Sequence, residues 1–448
     1  MRTVVSRSRV TTAALLIFGA AGLCEPALAE NPIASHIFTA DPAARVIDGR
    51  VYVMVTHDRD DQTDYTRLVD YGLFSSDDMV NWRDHGIVWN SRIQTRWARL
   101  AFAPELIERG DKFYLYFPDG IDAIGVAVAD RPEGPYTDPL GRPMIDRNTP
   151  NANVQWVFDP SVLIDDDGQA YLYFGGGREG TSRVILLNDD MISTRGPAIT
   201  LDVPDFFEAL YMHKRDGTYY LSYSTVPSAG LLINYMTSRS PTSGFTFRGT
   251  VLENPWQNNN DNNHASIIEF QGQSYIFYHN RSVSNERGGN SFQRSVNVDR
   301  LFYNPDGTIR RVAAGRAGAP QLKNVDAFAV NQAETFDVER GIETEPASEG
   351  TLNLVHRAGS FVRISGVDFG SGATVFMARV ATEVDSGIEI ILDDLESAPI
   401  GVLPVSRTGG FQTYETQSVA IPRVRGVHDV YLRSTANHSL NWYRFADD

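Results

Sequence analysis

The sequence predicts an all-β protein in which a five-bladed β-propeller is followed by a β-sandwich of the jelly-roll type. Three observations lead to this fold class. Aromatic residues make up 11% of the 448 residues, and Gly and Pro are frequent, as expected for strands joined by tight turns. One short pattern occurs five times between residues 41 and 275, and residues 331–448 lack it.

The charge of the chain narrows the classes of partner. There are 40 Lys and Arg against 56 Asp and Glu, which gives a formal net charge of −16. A charge of this sign repels phosphate backbones and anionic membrane surfaces. We therefore expect no nucleic-acid partner, and no membrane association once the N-terminal segment has been removed.

Residues 1–29 have the pattern of a secretory signal peptide. Three arginines within the first nine residues precede an apolar run over 13–23, and Ala27-Leu28-Ala29 precedes Glu30. This order predicts cleavage after Ala29 and a secreted or periplasmic protein. The alternative, lipidation at Cys24, is disfavoured because Leu23 is larger than the residue that such signals place before the cysteine. Cleavage removes the only cysteine, so the mature chain has no disulfide and no Cys metal site.

The repeated pattern defines the propeller over residues 30–312. Each copy has a head residue, a small residue or proline, a few apolar residues, a turn containing glycine, and an aromatic-rich strand. This order indicates a strand, a hairpin turn and a second strand. The turn glycines lie 49 to 61 residues apart, which leaves room for about four strands per copy, as in a propeller blade. The heads and their glycines are Asp41 and Gly49, Ala103 and Gly110, Asp159 and Gly168, Glu208 and Gly217, and His264 and Gly272.

The head residues are predicted to meet near the propeller axis, because the innermost strands of all blades start on the same face. Three heads are acids, and burying acids together is costly unless chemistry uses or neutralises them. Such a set suits sugar hydrolysis, in which one carboxylate acts as general base, one carboxylic acid donates a proton, and a third tunes the other two. Glu208 has the longer reach that suits the proton donor.

A run of small residues divides the two predicted domains. Residues 313–330 include Ala-Ala-Gly-Arg-Ala-Gly-Ala-Pro and are predicted to be a linker. Residues 331–448 contain alternating strands, for example over 361–364 and 388–392, and have the length of one β-sandwich.

Several propeller segments resemble glycoside hydrolase family 43, and the resemblance covers residues 31–312. The segments include Ala40-Asp41-Pro42, Phe158-Asp159-Pro160, Glu208-Ala209, Asn263-His264 and Arg294-Ser295-Val296. The resemblance implies that Asp41 is the general base and Glu208 the general acid. It implies that Asp159 is a pKa modulator that also orients the substrate, and that the anomeric configuration is inverted.

The resemblance also implies residues around the three acids. Arg294 matches an arginine near the sugar, and His264 matches an axial histidine associated with a hydrated calcium ion. The chemistry itself needs no cofactor, but a structural calcium ion is expected. Among the aromatic residues, Trp82 and Trp156 are candidates to stack on sugar rings.

The C-terminal region resembles carbohydrate-binding module family 6. The segments that carry this resemblance include Gln332-Ala333-Glu334-Thr335, Gly341-Ile342-Glu343-Thr344 and Leu440-Asn441-Trp442-Tyr443. The resemblance implies that Glu334 is a structural calcium ligand. Sugar binding is expected to be weak, because residues 354–357 offer no aromatic side chain where members of the family stack a sugar.

The sequence therefore predicts a secreted, inverting glycosidase that releases α-L-arabinofuranosyl or β-xylosyl units from arabinoxylan-type plant cell-wall polysaccharide or its oligosaccharides. Three alternatives stay open: an endo-acting arabinanase of the same family, a retaining five-bladed fructosidase, and a non-catalytic glycan-binding propeller. The fructosidase is disfavoured because the chain has no Asn-Asp-Pro-Asn opening and no Glu-Cys at the acid. The binding propeller is disfavoured because all three acids are present. The oligomeric state is left open.

Overall fold

The computed structural model describes residues 28–258, 262–350 and 352–447. Residues 1–27 of the predicted signal peptide lie outside the described residues. Within the described ranges, no helix has the length and apolar character needed to cross a bilayer. The first element of the described residues is β1 (Leu28–Glu30), and nearly all the elements that follow are strands.

Five antiparallel sheets follow one another along the propeller and confirm the predicted blades. The strands are, in blade 1, β2 (Phe38–Ile47), β3 (Arg50–Asp58), β4 (Asp70–Ser76) and β5 (Trp82–Asn90); in blade 2, β6 (Glu105–Arg109), β7 (Lys112–Asp119), β8 (Ala123–Ala129) and β9 (Ile145–Asp146); in blade 3, β10 (Ser161–Ile164), β11 (Ala170–Phe174), β12 (Arg183–Leu187) and β13 (Thr194–Thr200); in blade 4, β14 (Phe206–Arg215), β15 (Thr218–Thr225), β16 (Ile233–Ser238) and β17 (Thr246–Leu252); and in blade 5, β18 (Ala265–Phe270), β19 (Gln273–Asn280) and β20 (Ser295–Leu301). Two short helices, α1 (Ser91–Gln94) and α2 (Ser282–Arg287), and two 3-10 turns, Tyr65–Arg67 and Pro227–Ala229, connect them.

The hairpin turns explain the repeated glycines. In three copies the two turn residues both have positive φ, at 48° and 74° for Asp48 and Gly49 and at 48° and 68° for Asp216 and Gly217. Such a pair defines the two-residue turn whose twist matches that of the flanking strands, and glycine takes this conformation without a steric penalty.

The blades close into a ring. The first strands, β2, β6, β10, β14 and β18, contact one another around the axis, and apolar clusters fill the space between each pair of neighbouring blades, including blades 5 and 1. The segment that leads into β2, together with the first residues of β2, runs beside β20. The Ile33 amide donates to the Val296 carbonyl at 2.9 Å, and the Thr39 amide donates to the Arg294 carbonyl at 2.9 Å. Residues 33–39 therefore complete the last blade.

The predicted linker is packed chain rather than an extended tether. It contains β21 (Ala317–Pro320), which pairs with β1, and β22 (Val325–Asp326), which joins the sandwich. Ala319 and Ala327 are fully buried. The small side chains that suggested a linker allow this close packing.

The second domain is the predicted β-sandwich. One sheet has the order β22-β28-β33-β30-β31 with β25 on β28, the other has the order β26-β27-β34-β29-β32 with β23 on β34, and one apolar core lies between them. The remaining strands are β23 (Asn331–Gln332), β24 (Thr335–Phe336), β25 (Val338–Arg340), β26 (Glu343–Pro346), β27 (Leu352–His356), β28 (Phe361–Asp368), β29 (Ala373–Thr382), β30 (Ser386–Leu392), β31 (Gly401–Val405), β32 (Gly410–Val424), β33 (Val427–Ser434) and β34 (His438–Ala446).

A strand of the sandwich region joins the propeller. β24 pairs antiparallel with β5, with Thr335 opposite Arg83 and Phe336 opposite Trp82, so blade 1 has five strands. Phe336 is 3% exposed and belongs to the sandwich core. The two domains therefore share backbone hydrogen bonds and a continuous apolar contact.

Candidate active site

Two of the predicted acids have the same unusual backbone conformation. Asp41 and Asp159 both have φ of 50°, a left-handed region that few residues other than Gly, Asn and Asp adopt. The β2–β3 ladder shifts register between Ala40 and Ala43, so Asp41 lies in an irregularity of its strand. Equivalent positions of two blades thus present their carboxyl groups alike.

These side chains line one pocket of about 250 Å³. Six of the eight site residues expected from the sequence meet there. The polar residues of the pocket wall are Asp41, Asp159, Glu208, Asn262, His264 and Arg294. The apolar ones are Tyr65, Leu68, Phe102, Ala103, Ile121, Trp156, Phe158 and Phe207.

Asp41 is buried and has a hydrogen-bond donor on each carboxylate oxygen. Arg294 Nη1 donates to Oδ1 at 2.8 Å, and Thr56 Oγ1 donates to Oδ2 at 2.9 Å. Burial disfavours the charged form, but Arg294 and the neighbouring histidines outweigh burial and hold the pKa of Asp41 well below its ordinary value. Asp41 therefore stays ionised into acidic solution, as a general base must.

Arg294 is itself fixed by a second carboxylate. Asp58, which is fully buried, accepts from Arg294 Nε at 2.8 Å, from Nη2 at 2.8 Å and from the backbone amide at 2.9 Å. This two-pronged contact leaves Nη1 for Asp41 and fixes the plane of the guanidinium. Arg294 lies in the pocket wall, and two carboxylates already engage its cationic group.

Asp159 differs electrostatically from Asp41. Its Oδ2 accepts a hydrogen bond from the Ala209 amide at 3.1 Å, next to Glu208. Burial raises its pKa well above the ordinary value, and the negative charge of Asp41 raises it further. Like-charge repulsion in this site therefore acts on Asp159 itself in the free protein.

Glu208 lies near the start of β14, where the β14–β15 ladder shifts register on both sides of it. It is 8% exposed and faces the same pocket as Asp41 and Asp159. The irregularity turns the acid out of the ladder, as the register shift does for Asp41. Asp41 and Glu208 are therefore presented by interruptions of regular strands, whereas Asp159 lies two residues before β10 begins.

An aromatic wall faces the acids. The ring of Trp156 packs edge to face against Phe158, with centroids 5.2 Å apart, and against Phe207, with centroids 5.4 Å apart. Gly176 makes this packing possible, because an added Cβ would lie 2.2 Å from Phe158 Cε1. Trp156 is half-buried and lines the pocket, and its stacking on a sugar ring stays a prediction.

The structure corrects the prediction for Trp82. This side chain is 2% exposed, belongs to the apolar cluster between blades 1 and 5, and packs edge to face against Phe277 with centroids 5.9 Å apart. A sugar cannot reach it. It lies on the face of β5 that packs between blades, which a single sequence does not distinguish from a face that lines a pocket.

The two predicted calcium ligands, His264 and Glu334, have different surroundings. His264 Nδ1 lies 3.7 Å from Asp41 Oδ1, and burial lowers the pKa of His264 to about 4, so its ring is neutral at neutral pH. Calcium prefers six to eight oxygen ligands, and among the residues that the structure describes no three His, Cys, Asp or Glu side chains form a metal-binding group. Calcium near His264 stays a prediction, and the chemistry proposed for the site takes no step through it.

Glu334 has one carboxylate oxygen engaged and one without a partner. Its Oε1 lies 3.0 Å from Arg83 Nη2 of blade 1, whereas its Oε2 is buried and has no hydrogen-bond partner among the described residues, so a calcium ion at Glu334 stays a prediction. Burial raises its pKa to about 7. The residue that contacts this carboxyl group belongs to the propeller. The resemblance of the second domain to its family therefore gave no information about that contact.

Several pocket residues were missed by the sequence analysis. Tyr65, Ile121, Phe207 and Asn262 lie outside the repeated pattern, which therefore gives no signal for them. Asp58 ends β3 and supports Arg294 from behind. Only the recurrence of Asp at strand ends could have suggested it.

A closed ring of five β-sheets with three carboxyl groups in an axial pocket defines the chain as a glycosidase. Residues 29–309 match the family described as "Glycosyl hydrolases family 43", and residues 332–447 match "Carbohydrate binding module (family 6)". The chain belongs to glycoside hydrolase family 43 and carries a family 6 carbohydrate-binding module. The resemblance seen in the sequence is thereby confirmed.

Relatives extend over nearly the whole chain. An arabinoxylan arabinofuranohydrolase of Paenibacillus polymyxa is 38% identical over 92% of this chain and 72% of its own. The solved structure of a family 43 arabinoxylan arabinofuranohydrolase from Bacillus subtilis in complex with cellotetraose is 35% identical, covers 93% of this chain and 97% of its own, and superposes with a TM-score of 0.88. An α-L-arabinofuranosidase of Clostridium thermocellum is 48% identical over 64% of this chain and 98% of its own, with a TM-score of 0.57.

Proposed function

We propose that this protein is an exported, inverting glycosidase that removes single α-L-arabinofuranosyl units from arabinoxylan or its oligosaccharides. The observation that carries the proposal is the pocket in which Asp41, Asp159 and Glu208 face the Trp156 wall. Its volume of about 250 Å³ is below the roughly 300–1,000 Å³ of pockets for drug-sized ligands, which suits one sugar unit. The arabinoxylan-acting relatives support the choice of substrate.

The reaction follows from the different states of the acids. Asp41, ionised and held by Arg294 and Thr56, accepts a proton from a water molecule as that water attacks the anomeric carbon. Glu208 donates its proton to the glycosidic oxygen, and the bond between that oxygen and the anomeric carbon breaks. The products are a free sugar of inverted configuration and a hydroxyl group on the polysaccharide. Asp41 ends protonated and Glu208 ionised.

Asp159 has a positioning role in this scheme. Its carboxyl group lies in the pocket with both partners, and its raised pKa favours the protonated form, which can donate a hydrogen bond to the sugar. The Trp156 wall binds the apolar face of the ring and holds the anomeric carbon between base and acid.

The test is incubation of the protein with arabinoxylan, arabinan and xylo-oligosaccharides, followed by identification of the released sugar. We expect L-arabinose from arabinoxylan, with the β-anomer formed first in the NMR spectrum. Release of xylose alone would show a xylosidase, shortened arabinan chains would show an arabinanase, and an initial α-anomer would show retention.

Asp41→Asn provides the matched inactive protein for this assay. Turnover should fall by about 100- to 10,000-fold, because no other group of the pocket is placed to activate the water. The exposed Asp167→Asn serves as control and should keep full activity. An Asp41→Asn protein that retains a tenth of wild-type turnover would remove Asp41 from the role of base.

A further inference from the structure

Asn262 lies in the pocket wall, in the connection between β17 and β18. The oxygen and nitrogen of a carboxamide have the same shape, so their hydrogen-bond partners decide which atom points where. For Asn262 these partners are Arg281 and His279.

Arg281 fixes the position of the Asn262 oxygen. It is fully buried, and its Nη2 donates to Asn262 Oδ1 at 3.0 Å. A guanidinium has no acceptor atom, so the atom that faces it must be an oxygen. The amide nitrogen of Asn262 therefore points away from Arg281.

His279 agrees with this orientation. Its Nδ1 accepts from the Asp41 backbone amide at 3.2 Å and also lies 3.4 Å from Asp41 Oδ1. Its Nε2 lies 3.0 Å from Asn262 Oδ1, and because the Arg281 contact makes that atom an oxygen, Nε2 is the donor. Arg281 and His279 thus both donate to Asn262 Oδ1. His279 also contacts the backbone amide of Asp41, the general base.

The remaining polar atom of Asn262 is its Nδ2, which carries two N–H donors. No residue within 28–258, 262–350 and 352–447 accepts a hydrogen bond from Asn262 Nδ2. Asn262 is only half-buried and lines the pocket. A donor of fixed direction, in the same pocket as the base and the aromatic wall, matches the oxygen of a sugar hydroxyl.

We propose that Asn262 is a substrate-binding residue whose Nδ2 donates to one hydroxyl oxygen of the sugar in the pocket, with Arg281 and His279 as positioning residues that fix its amide. This inference rests on the proposed function and extends it to the recognition of an individual hydroxyl group.

The experiment compares Asn262→Ala with Asn258→Ala. Asn258 Oδ1 also accepts from Arg281, and its Nδ2 donates to the Asn254 side chain and to the Asn262 carbonyl. Asn258 does not line the pocket, so its variant reports the loss of contacts behind Asn262 while the Asn262 amide is retained. Each protein is assayed on an aryl α-L-arabinofuranoside and on its 2-, 3- and 5-deoxy analogues. Asn262→Ala should lower kcat/KM for the parent about tenfold and leave it unchanged for the one analogue that lacks the recognised hydroxyl. Asn258→Ala should keep the wild-type ratio of parent to analogue.

Asn262→Asp gives a second measurement if the alanine variant is unstable, because it retains the oxygen that Arg281 and His279 contact. Its second oxygen can only accept. A fluorine in place of the recognised hydroxyl can accept but cannot donate, so this variant should discriminate against the fluoro analogue more strongly than the wild type does.

Equal losses on the parent and on every analogue, or equal fluorine discrimination in both proteins, would overturn the role of Asn262 while leaving the proposed function intact. A wild-type protein that cleaves none of the glycosides would overturn the proposed function, and this inference with it.

Discussion

At the residue scale, the three acids occupy equivalent places in the repeat but have different surroundings. Arg294 and Thr56 hold Asp41 as an anion, whereas Asp159 accepts from the Ala209 amide and is pushed toward its neutral form by burial and by Asp41. Two identical side chains can therefore act as a base and as a hydrogen-bond donor.

Glu208→Ala should separate substrates by their leaving groups. Natural arabinosides, whose leaving oxygen needs a proton, should lose about 100- to 10,000-fold in kcat/KM. Nitrophenyl arabinosides, whose leaving group is stable as an anion, should lose far less. The measurement is kcat/KM for both substrate classes in variant and wild type, and equal losses would contradict the assignment of Glu208 as general acid.

Asp159→Asn should lower turnover and raise stability at neutral pH. Burial and Asp41 raise the pKa of Asp159 in the folded state, so the unfolded state releases this proton at lower pH than the folded state. The stability associated with this group is full below its unfolded pKa and is lost as pH rises through its folded pKa. Asn cannot ionise, so the variant does not lose this stability as the pH rises.

Thermal unfolding of both proteins at pH 4 and pH 7 measures this effect. The stability advantage of the Asp159→Asn variant should be larger at pH 7, while its turnover falls by about 100-fold or more because the sugar is oriented less well. A stability difference that is independent of pH would show that Asp159 is ionised in the folded protein.

The acids could be predicted from the sequence because they occupy equivalent places in a repeat. Asn262 and Tyr65 could not, since they lie in connections whose length and course differ from blade to blade. The Arg83 partner of Glu334 lies 251 positions away along the chain, in a different domain. No local pattern carries such a pairing.

At the element scale, the positions of strands and turns were more predictable than the surroundings of each strand face, which either packs between blades or lines the pocket. The alternation of apolar and polar residues fails in blades that are buried on both sides, so Trp82 and Trp156 looked equivalent in the sequence. The structure separates them: the former packs between blades, and the latter forms an isolated bridge with Gly176 and lines the pocket.

Gly176→Ala tests the aromatic wall as a unit. The added methyl group would meet Phe158 and Trp156 at 2.2 to 3.0 Å, which should displace both rings and raise KM about tenfold with a smaller change in kcat. Gly315→Ala is the matched control, because nothing lies within 4 Å of its added Cβ. An unchanged KM for Gly176→Ala would show that the wall does not contact the sugar.

At the scale of the whole molecule, the two domains should unfold together. A chain that ends at residue 324 lacks β24 and leaves the edge of β5 uncovered, and it also loses the Asn81 contacts to Ser365 at 2.9 and 3.0 Å. We expect its propeller to unfold at a temperature lower by roughly 5 °C or more.

Scanning calorimetry decides this question. Phe336→Ala in the full chain is a milder perturbation and should lower the temperature of the single unfolding transition. Two separate transitions, with an unchanged midpoint for the shortened chain, would show that the domains are energetically independent. The order of the domains was predictable from the sequence, but their docking was not, because the two residues of β24 carry no signal for a partner in blade 1.

The pairing of β24 with β5 also decides how the carbohydrate-binding module can act on a polymer. A module on a flexible tether raises the local concentration of substrate over a wide volume that the tether length sets. A module hydrogen-bonded to the blade has one orientation, so a polysaccharide chain that it holds reaches the pocket only if its branches are spaced to match that fixed geometry. A polymer bound by the sandwich would therefore be selected by its branching pattern, in addition to being brought close to the enzyme.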